Sequence, residues 1–271
     1  MSISQQILNL SKQLFDSNHF THLKNKHIIN DLINMNSFGE IFLKRYGTML
    51  DIRFANFVEK KVHTREAFFR RINGDNIALY EIEKHTCMRY LNSGFTMIID
   101  SAEDQYSQID KVVNELKASL NHSRISTSLY FSKREANSFG YHFDPHHIIA
   151  VQIHGRKKWH LHPPTYNYPV VGSKKLDVYR PSINAFVTIT TEPMDILVIP
   201  MGLWHMVETP EDASLHLSIA LDPSRIGDCF NEIFNTANNE EIFRKPVGGI
   251  ETLEDIKIAK NRMIELIKTK I

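Results

Sequence analysis

The chain has 271 residues, 42% of them hydrophobic and 23% charged, the balance of a soluble globular protein with ample core. Its 32 Lys and Arg against 31 Asp and Glu leave a formal charge of +1, without the basic excess of a dedicated nucleic-acid binder. No apolar run reaches membrane-spanning length, the opening residues lack a signal-peptide pattern, and Cys87 and Cys229 are too far apart in sequence to read as a disulfide scaffold, so a cytoplasmic protein is expected.

Residues 1–93 read as a mostly helical extension. Ile7, Leu8, Leu10 and Leu14 recur at helical spacing, as do Ile28, Ile29, Leu32 and Ile33. Thr64 reads as the cap of a further helix with Phe68 and Phe69 facing inward. From Gly94 the pattern changes. Phe95 to Ile99 is a short β-branched run, so a strand, and Ile109 to Leu120 is helical. Strand-like runs then follow one another at 125–131, 148–153, 158–162, 185–189, 196–199 and 215–221, with turn signals between. No crossover helices separate them, which predicts an antiparallel sandwich or barrel over residues 94–222. The fold class expected is mainly β with helical extensions around a jelly-roll core. Thr165 to Asn184 is a long connection of a length that is often functional. Residues 223–271 read as a short helical tail, with Leu253, Ile256, Met263, Ile264 and Ile267 as an apolar stripe behind a Thr252 and Asp255 cap. That stripe is expected to pack on the chain's own body, with dimerisation as the alternative.

Fourteen histidines are many for this length, and their placement is informative. In the extended stretch His142-Phe143-Asp144, the outer two side chains share a face. An imidazole and a carboxylate together suit a divalent metal, although surface His–Asp contacts are common. His205 lies 63 residues further on, behind an apolar strand and a turn. In a closed β-sandwich a late strand returns beside an early one, so His205 completes a two-histidine, one-carboxylate set. Three such ligands leave open positions on an octahedral ion, the arrangement of non-haem Fe(II) oxygenases. A closed zinc site would want a fourth protein ligand. After the apolar strand, Gly155 turns the chain and Lys157 shares strand parity with Trp159. An inward cation needs an anion, and the distal carboxylate of a 2-oxo diacid would supply one. Arg156 and Lys158 read as a solvated basic turn.

These pieces resemble the JmjC and cupin-4 family of Fe(II)- and 2-oxoglutarate-dependent oxygenases. The resemblance covers about Gly94 to Asp222 and is carried by three stretches, 126–131, 138–144 and 152–159. It implies a double-stranded β-helix in which His142, Asp144 and His205 bind iron and are the catalytic centre. It implies that Lys157 and Tyr130 hold the 5-carboxylate of 2-oxoglutarate, with Ser128 on Tyr130's face. His216 stands where the family often has an asparagine, and Ser218 shares its face. Met194 stands where a glycine is common. The implied reaction consumes 2-oxoglutarate and O2, releases succinate and CO2, and hydroxylates a side chain in a peptide or protein. A small-molecule hydroxylase and a non-catalytic JmjC-like binding module are the alternatives. No nucleic-acid or membrane partner is implied, and a homodimer is left open. His146 and His147 read as pocket-mouth or surface residues, and His154, His160 and His162 as strand-end or outer-face residues.

Overall fold

A computed structural model describes residues 3–14, 19–24, 32–73, 78–120, 123–172, 181, 186–210, 213–248 and 252–270. The strands are β1 (Thr21–Leu23), β2 (Ile52–Asn56), β3 (Lys61–Thr64), β4 (Phe69–Asn73), β5 (Ala78–Ile82), β6 (Thr96–Asp100), β7 (Ser123–Lys133), β8 (His147–His154), β9 (Lys157–His162), β10 (Val187–Thr191), β11 (Ile196–Ile199), β12 (Trp204–Glu208) and β13 (Ala213–Pro223). The helices are α1 (Ile3–Leu14), α2 (Met35–Gly39), α3 (Lys84–Asn92), α4 (Ser107–Ser119), α5 (Ile226–Ala237), α6 (Glu241–Arg244) and α7 (Thr252–Lys270).

The strands form a large sheet in the order β1-β11-β8-β13-β7-β6-β2-β3, a smaller sheet β10-β9-β12 and a hairpin β4-β5. All the registered pairings are antiparallel. This is a double-stranded β-helix, and the period-2 alternation of its strands builds it. On β8, Ile149 and Val151 face one way and Ile148 and Ala150 the other. The first pair joins Val198, Leu217 and Ile219 under the apolar faces of α1 (Ile7, Leu10) and α4 (Ile109, Val112, Val113, Leu116). The second pair joins Leu197 and Ile199 against Trp159, Leu161 and Ile189 of the smaller sheet. A strand covered on both faces reads as a continuous apolar run, as 148–151 does. Each such buried side chain contributes roughly 1.5–3 kcal/mol.

The hairpin from β8 to β9 turns at Gly155, whose φ is +61°. A Cβ there would lie 1.9 Å from the Ala213 carbonyl oxygen, so no other residue fits without moving β13. This turn sets the parity of β9, on which Lys157, Trp159 and Leu161 are all buried.

Several expectations are corrected. The first 93 residues are not mostly helical, because they contribute five strands as well as three helices. Three of those strands, β1, β2 and β3, complete the large sheet. Thr64 ends β3 and leads into a single tight turn at Arg65–Ala67, not a helix. The residues after it, Phe69–Asn73 and Ala78–Ile82, pair as a hairpin. Phe68 is buried and Phe69 packs against the same core, as expected of both. Ile28 and Ile29 lie outside the described residues, and Leu32 and Ile33 are buried in irregular backbone ahead of α2. Trp204–Glu208, read only as a turn and a histidine, is strand β12. Of the 165–184 connection, residues 173–180 and 182–184 lie outside the described residues.

The chain divides into two compact units, Met1–Asp222 and Pro223–Ile271. Within the second, Ile233 and Ala237 of α5 meet Leu266 of α7, with Phe243, Met263 and Ile267 around them. The packed face of α7 is therefore Met263, Leu266 and Ile267, and Leu253, Ile256 and Ile264 are exposed instead. Thr252 Oγ1 accepts a hydrogen bond from the Gly248 amide, and Asp255 pairs with Lys245 at 2.7 Å.

Candidate active site

His142 and His205 are brought together by the backbone. The His142 amide donates to the His205 carbonyl at 3.0 Å and the His205 amide to the His142 carbonyl at 2.7 Å. This reciprocal bridge fixes two residues opposite each other across an antiparallel pair, so their side chains share a face. Asp144, two residues on, faces the same way. Its Oδ2 lies 3.4 Å from His205 Nε2 and 3.9 Å from His142 Nε2. All three potential ligand atoms lie within 4.8 Å of one another.

The second nitrogen of each ring is already committed. His142 Nδ1 donates to the Gly140 carbonyl at 3.0 Å, and His205 Nδ1 to the Leu203 carbonyl at 3.1 Å. A proton held on Nδ1 leaves the Nε2 lone pair free, the tautomer a metal requires. His205 is 3% exposed, and its pKa is pushed down to about 4 by burial and by His142. Burial opposes ionisation of Asp144, yet His205 and then His142 hold its carboxyl below the ordinary range. Two imidazoles and one carboxylate, clustered and with Nε2 of both rings turned to the same space, form a donor set that fits a divalent cation.

The triad opens into a cavity of about 420 Å³. Lys157, Tyr130, Ser128, His216 and Ser218 all line it with the triad. Alternation explains the grouping: Ser126, Ser128 and Tyr130 lie on one face of β7, and His216, Ser218 and Ala220 on one face of β13. Lys157 is 3% exposed. Its ammonium donates to Ser132 Oγ and to Thr209 Oγ1, the latter at 2.7 Å, and both partners are neutral. Burial lowers its pKa to about 7. Among the described residues it has no ion-pair partner. Behind it, Trp159 Nε1 donates to Thr191 Oγ1 at 3.1 Å, Thr191 donates to Gln152 Oε1 at 3.0 Å, and Gln152 Nε2 donates to Ser214 Oγ at 2.8 Å. This chain satisfies the buried polar groups of Trp159, Thr191 and Gln152.

His216 stacks on Tyr130, with ring centroids 4.8 Å apart and planes within 4°, and meets Trp159 edge-on. Burial, then Lys157, hold its pKa well below the ordinary value, so it is neutral. Its Nδ1 is buried without a hydrogen-bond partner among the described residues.

The other histidines divide. His146 lines the cavity, whereas His147 is buried and accepts the Met201 amide at Nδ1. His154 is exposed, and His160 bonds to Glu208 across β12. His162 ends β9 but is buried against Tyr141 and Phe186, not on an outer face. Sequence reasoning missed Ser132, Thr209 and Arg53. Ser132 continues the alternation of Ser126, Ser128 and Tyr130 and was findable by that signal. Arg53 lines the cavity from β2, a strand not foreseen.

The family model of the JmjC domain matches residues 100–229. The chain is 26% identical over 117 residues to the bifunctional lysine-specific demethylase and histidyl-hydroxylase NO66 of Dictyostelium discoideum, covering 42% of this chain and 23% of that one. It is 28% identical over 104 residues to ribosomal oxygenase 2 of Bos taurus, covering 36% of this chain and 21% of the other. The chain thus spans less than a quarter of the length of these curated relatives. The solved structure of YcfD, a ribosomal oxygenase from Escherichia coli in complex with cobalt and 2-oxoglutarate, superposes with a TM-score of 0.61 at 14% identity, covering 95% of this chain and 66% of that one. That likeness concerns the fold. No helix among the described residues is long and apolar enough to cross a membrane. The fold and the clustered triad agree with the match of residues 100–229 to the JmjC domain model.

Proposed function

We propose that this chain is an Fe(II)- and 2-oxoglutarate-dependent oxygenase that hydroxylates a side chain in a peptide or protein. One observation carries the reading. A single cavity holds a cation-seeking donor set and a buried, unpaired ammonium. These are opposite deficits that a metal chelated by a 2-oxo diacid would satisfy together. The relatives named as a histidyl-hydroxylase and a ribosomal oxygenase support the class of substrate.

On this reading His142, Asp144 and His205 hold Fe(II), which supplies the redox chemistry that couples O2 to decarboxylation of the co-substrate. Lys157 binds the distal carboxylate through a charge-assisted bond, and Tyr130 adds a second donor. Ser132 and Thr209 hold the ammonium in place before the anion arrives, so little reorganisation is needed on binding. Ser128, His216 and Ser218 complete the wall. Trp159, Ile148 and Val207 supply apolar lining that keeps water from the bound carboxylates. In the overall reaction one oxygen of O2 enters the substrate C–H bond and the other enters succinate. Two electrons come from that bond and two from the decarboxylated 2-oxo acid.

The test is an anaerobic absorbance titration with Fe(II) and then 2-oxoglutarate, followed by succinate measurement in air. A visible charge-transfer band and metal-dependent succinate formation are expected, with turnover stimulated by peptides that carry the unmodified target side chain. A folded, iron-replete protein with neither band nor succinate would sink the proposal and favour a binding module.

A further inference from the structure

The two histidines of the triad are supported unequally. His205 is oriented by the Leu203 carbonyl, and Leu203 is buried in the smaller apolar cluster, so core packing fixes that carbonyl. His142 is oriented by the carbonyl of Gly140, which has no side chain to pack and lies in the irregular stretch between β7 and β8. The His142 side chain is also more open, 22% exposed against 4% for His205. The Gly140 carbonyl must nevertheless be fixed, because it holds the proton on Nδ1 and so keeps Nε2 open to a cation.

Two groups fix it. Asn137 Oδ1 accepts a hydrogen bond from the Gly140 amide at 2.9 Å. This bond closes a tight turn over residues 137–140, in which Gly140 adopts φ +65°. Glycine takes up that conformation at little cost. The second group comes from the turn after β2. The Phe57 ring lies so close to Gly140 that a Cβ there would come within 2.6 Å of it. The Phe57 amide donates to the Asn137 carbonyl at 2.9 Å, so one residue ties down both ends of the 137–140 turn.

Phe57 is itself anchored from below. Asn56 is buried, donates from Nδ2 to the Gly94 carbonyl at 3.1 Å and accepts the Glu59 amide at Oδ1 at 2.9 Å. Phe57 is 46% exposed, too open to serve as a core residue. Its contact with Gly140 accounts for its place better than burial does. A continuous set of contacts therefore runs from the end of β2 through Phe57, Asn137 and Gly140 to His142 Nδ1.

We propose that Asn137 is a positioning residue for the metal ligand His142, and that Phe57 clamps the turn through which it acts. Asn137 fixes Gly140, the Gly140 carbonyl holds the Nδ1 proton, and Nε2 is left facing Asp144 and His205. The proposal rests on the oxygenase reading above, in that the triad binds a metal. It gives part of the support of that site to Asn56 and Phe57, which the JmjC match at residues 100–229 does not include.

The experiment uses Co(II) alone as the probe, on the full chain and on Asn137→Ala, Asn137→Asp, Phe57→Ala and Phe57→Leu. Bound Co(II) shifts the imidazole N–H protons of its ligands far downfield in proton NMR, so wild type should show one such exchangeable signal for each histidine. In Asn137→Ala one signal should broaden or vanish through solvent exchange while the other stays in place. Co(II) affinity should fall about tenfold, the lower end of what hydrogen-bond partners behind a metal ligand contribute. Phe57→Ala should disturb the same signal and weaken Co(II) a few-fold, and Phe57→Leu, which keeps bulk over Gly140, should do less. Asn137→Asp keeps the acceptor and should keep both signals. A merely structural role would lower stability and leave both signals in place. If Asn137→Ala does not fold by circular dichroism, Phe57→Ala decides by the same criteria. Two unchanged signals in Asn137→Ala, the loss of both, or an equal loss in Asn137→Asp overturns the proposal. A folded wild-type protein that binds no Co(II) fails the oxygenase reading and this proposal with it, whereas wild-type binding with unaffected variants fails this proposal alone.

Discussion

The two ends of the cavity solve opposite electrostatic problems. At one end a carboxylate sits between two imidazoles whose protons are turned away to backbone carbonyls. At the other an ammonium is buried among hydroxyls. The first is short of positive charge and the second of negative charge, and neither is relieved by its neighbours. A protein selected for stability alone would bury apolar groups at both. The comparison teaches that such a cavity is arranged for guests of both signs, and that each end can be broken separately.

The largest effect is expected at the metal end. Asp144→Ala removes the carboxylate of the triad. Fe(II) affinity should fall by well over a hundredfold, since even outer hydrogen-bond partners of metal ligands are worth about ten- to a hundredfold. An anaerobic iron titration measures it. Retained tight binding would show that the cation sits elsewhere.

Next is the anion end. On the proposed reading, Lys157→Met should weaken 2-oxoglutarate about a hundredfold, with Fe(II) affinity unchanged, because it removes the buried charge that would meet the distal carboxylate. The same variant should be more stable than wild type when empty. Burial depresses the Lys157 pKa from 10.5 to about 7, so between those values the unfolded chain binds a proton that the folded chain does not. The destabilisation is therefore complete below pH 7 and fades as pH rises toward 10.5. Thermal melts from pH 7 to 10 should show wild type gaining on the variant. Parallel curves would mean that the ammonium is not buried in solution.

The two ends also differ in how far the sequence reveals them. His142 and Asp144 are legible because they are adjacent in a strand, and parity alone puts them on one face. Lys157 is legible by the same rule, through Trp159. His205 could be placed only by supposing a sandwich that closes. Thr209 was invisible, because it follows β12 and that strand was read as a turn after Pro200 and Gly202. Arg53 was invisible for a deeper reason. Ile52–Asn56 carries no strict alternation, since Phe54 faces the helices while Ala55 and Asn56 are also buried. Its place in the sheet depends on long-range pairing with β6, and no local pattern encodes that pairing. The helical reading of the N-terminal region failed there too, because apolar spacing over a few residues does not separate short paired strands from helices.

A smaller effect comes from pH acting on the intact anion end. Above about pH 7 the empty cavity holds neutral Lys157, so binding the dianion requires proton uptake. The apparent affinity for 2-oxoglutarate should fall by up to about tenfold per pH unit above 7. Lys157→Met should abolish that slope. A wild-type affinity that is flat from pH 7 to 9 would mean that the lysine stays charged without the guest.

The smallest effect expected, and the sharpest on the comparison, is that of Thr209→Val. Valine keeps the volume and removes the oxygen that accepts from Lys157 at 2.7 Å. It also removes the partner of Ser132 Oγ, leaving Ser132 as the ammonium's remaining hydroxyl. With one acceptor fewer, the charged form is less favoured, so the Lys157 pKa moves further down. At pH 7.5 a smaller fraction of the empty protein is then ready for an anion. Co-substrate affinity should fall a few-fold, less than the full value of a charged hydrogen bond because the bound carboxylate takes over part of the role. The pH at which affinity begins to fall should shift to lower values by the same factor. Fe(II) binding should not change, because the triad's partners are the carbonyls of Gly140 and Leu203. If iron affinity fell together with that of the co-substrate, the two ends would be one coupled network and their separation here would be wrong.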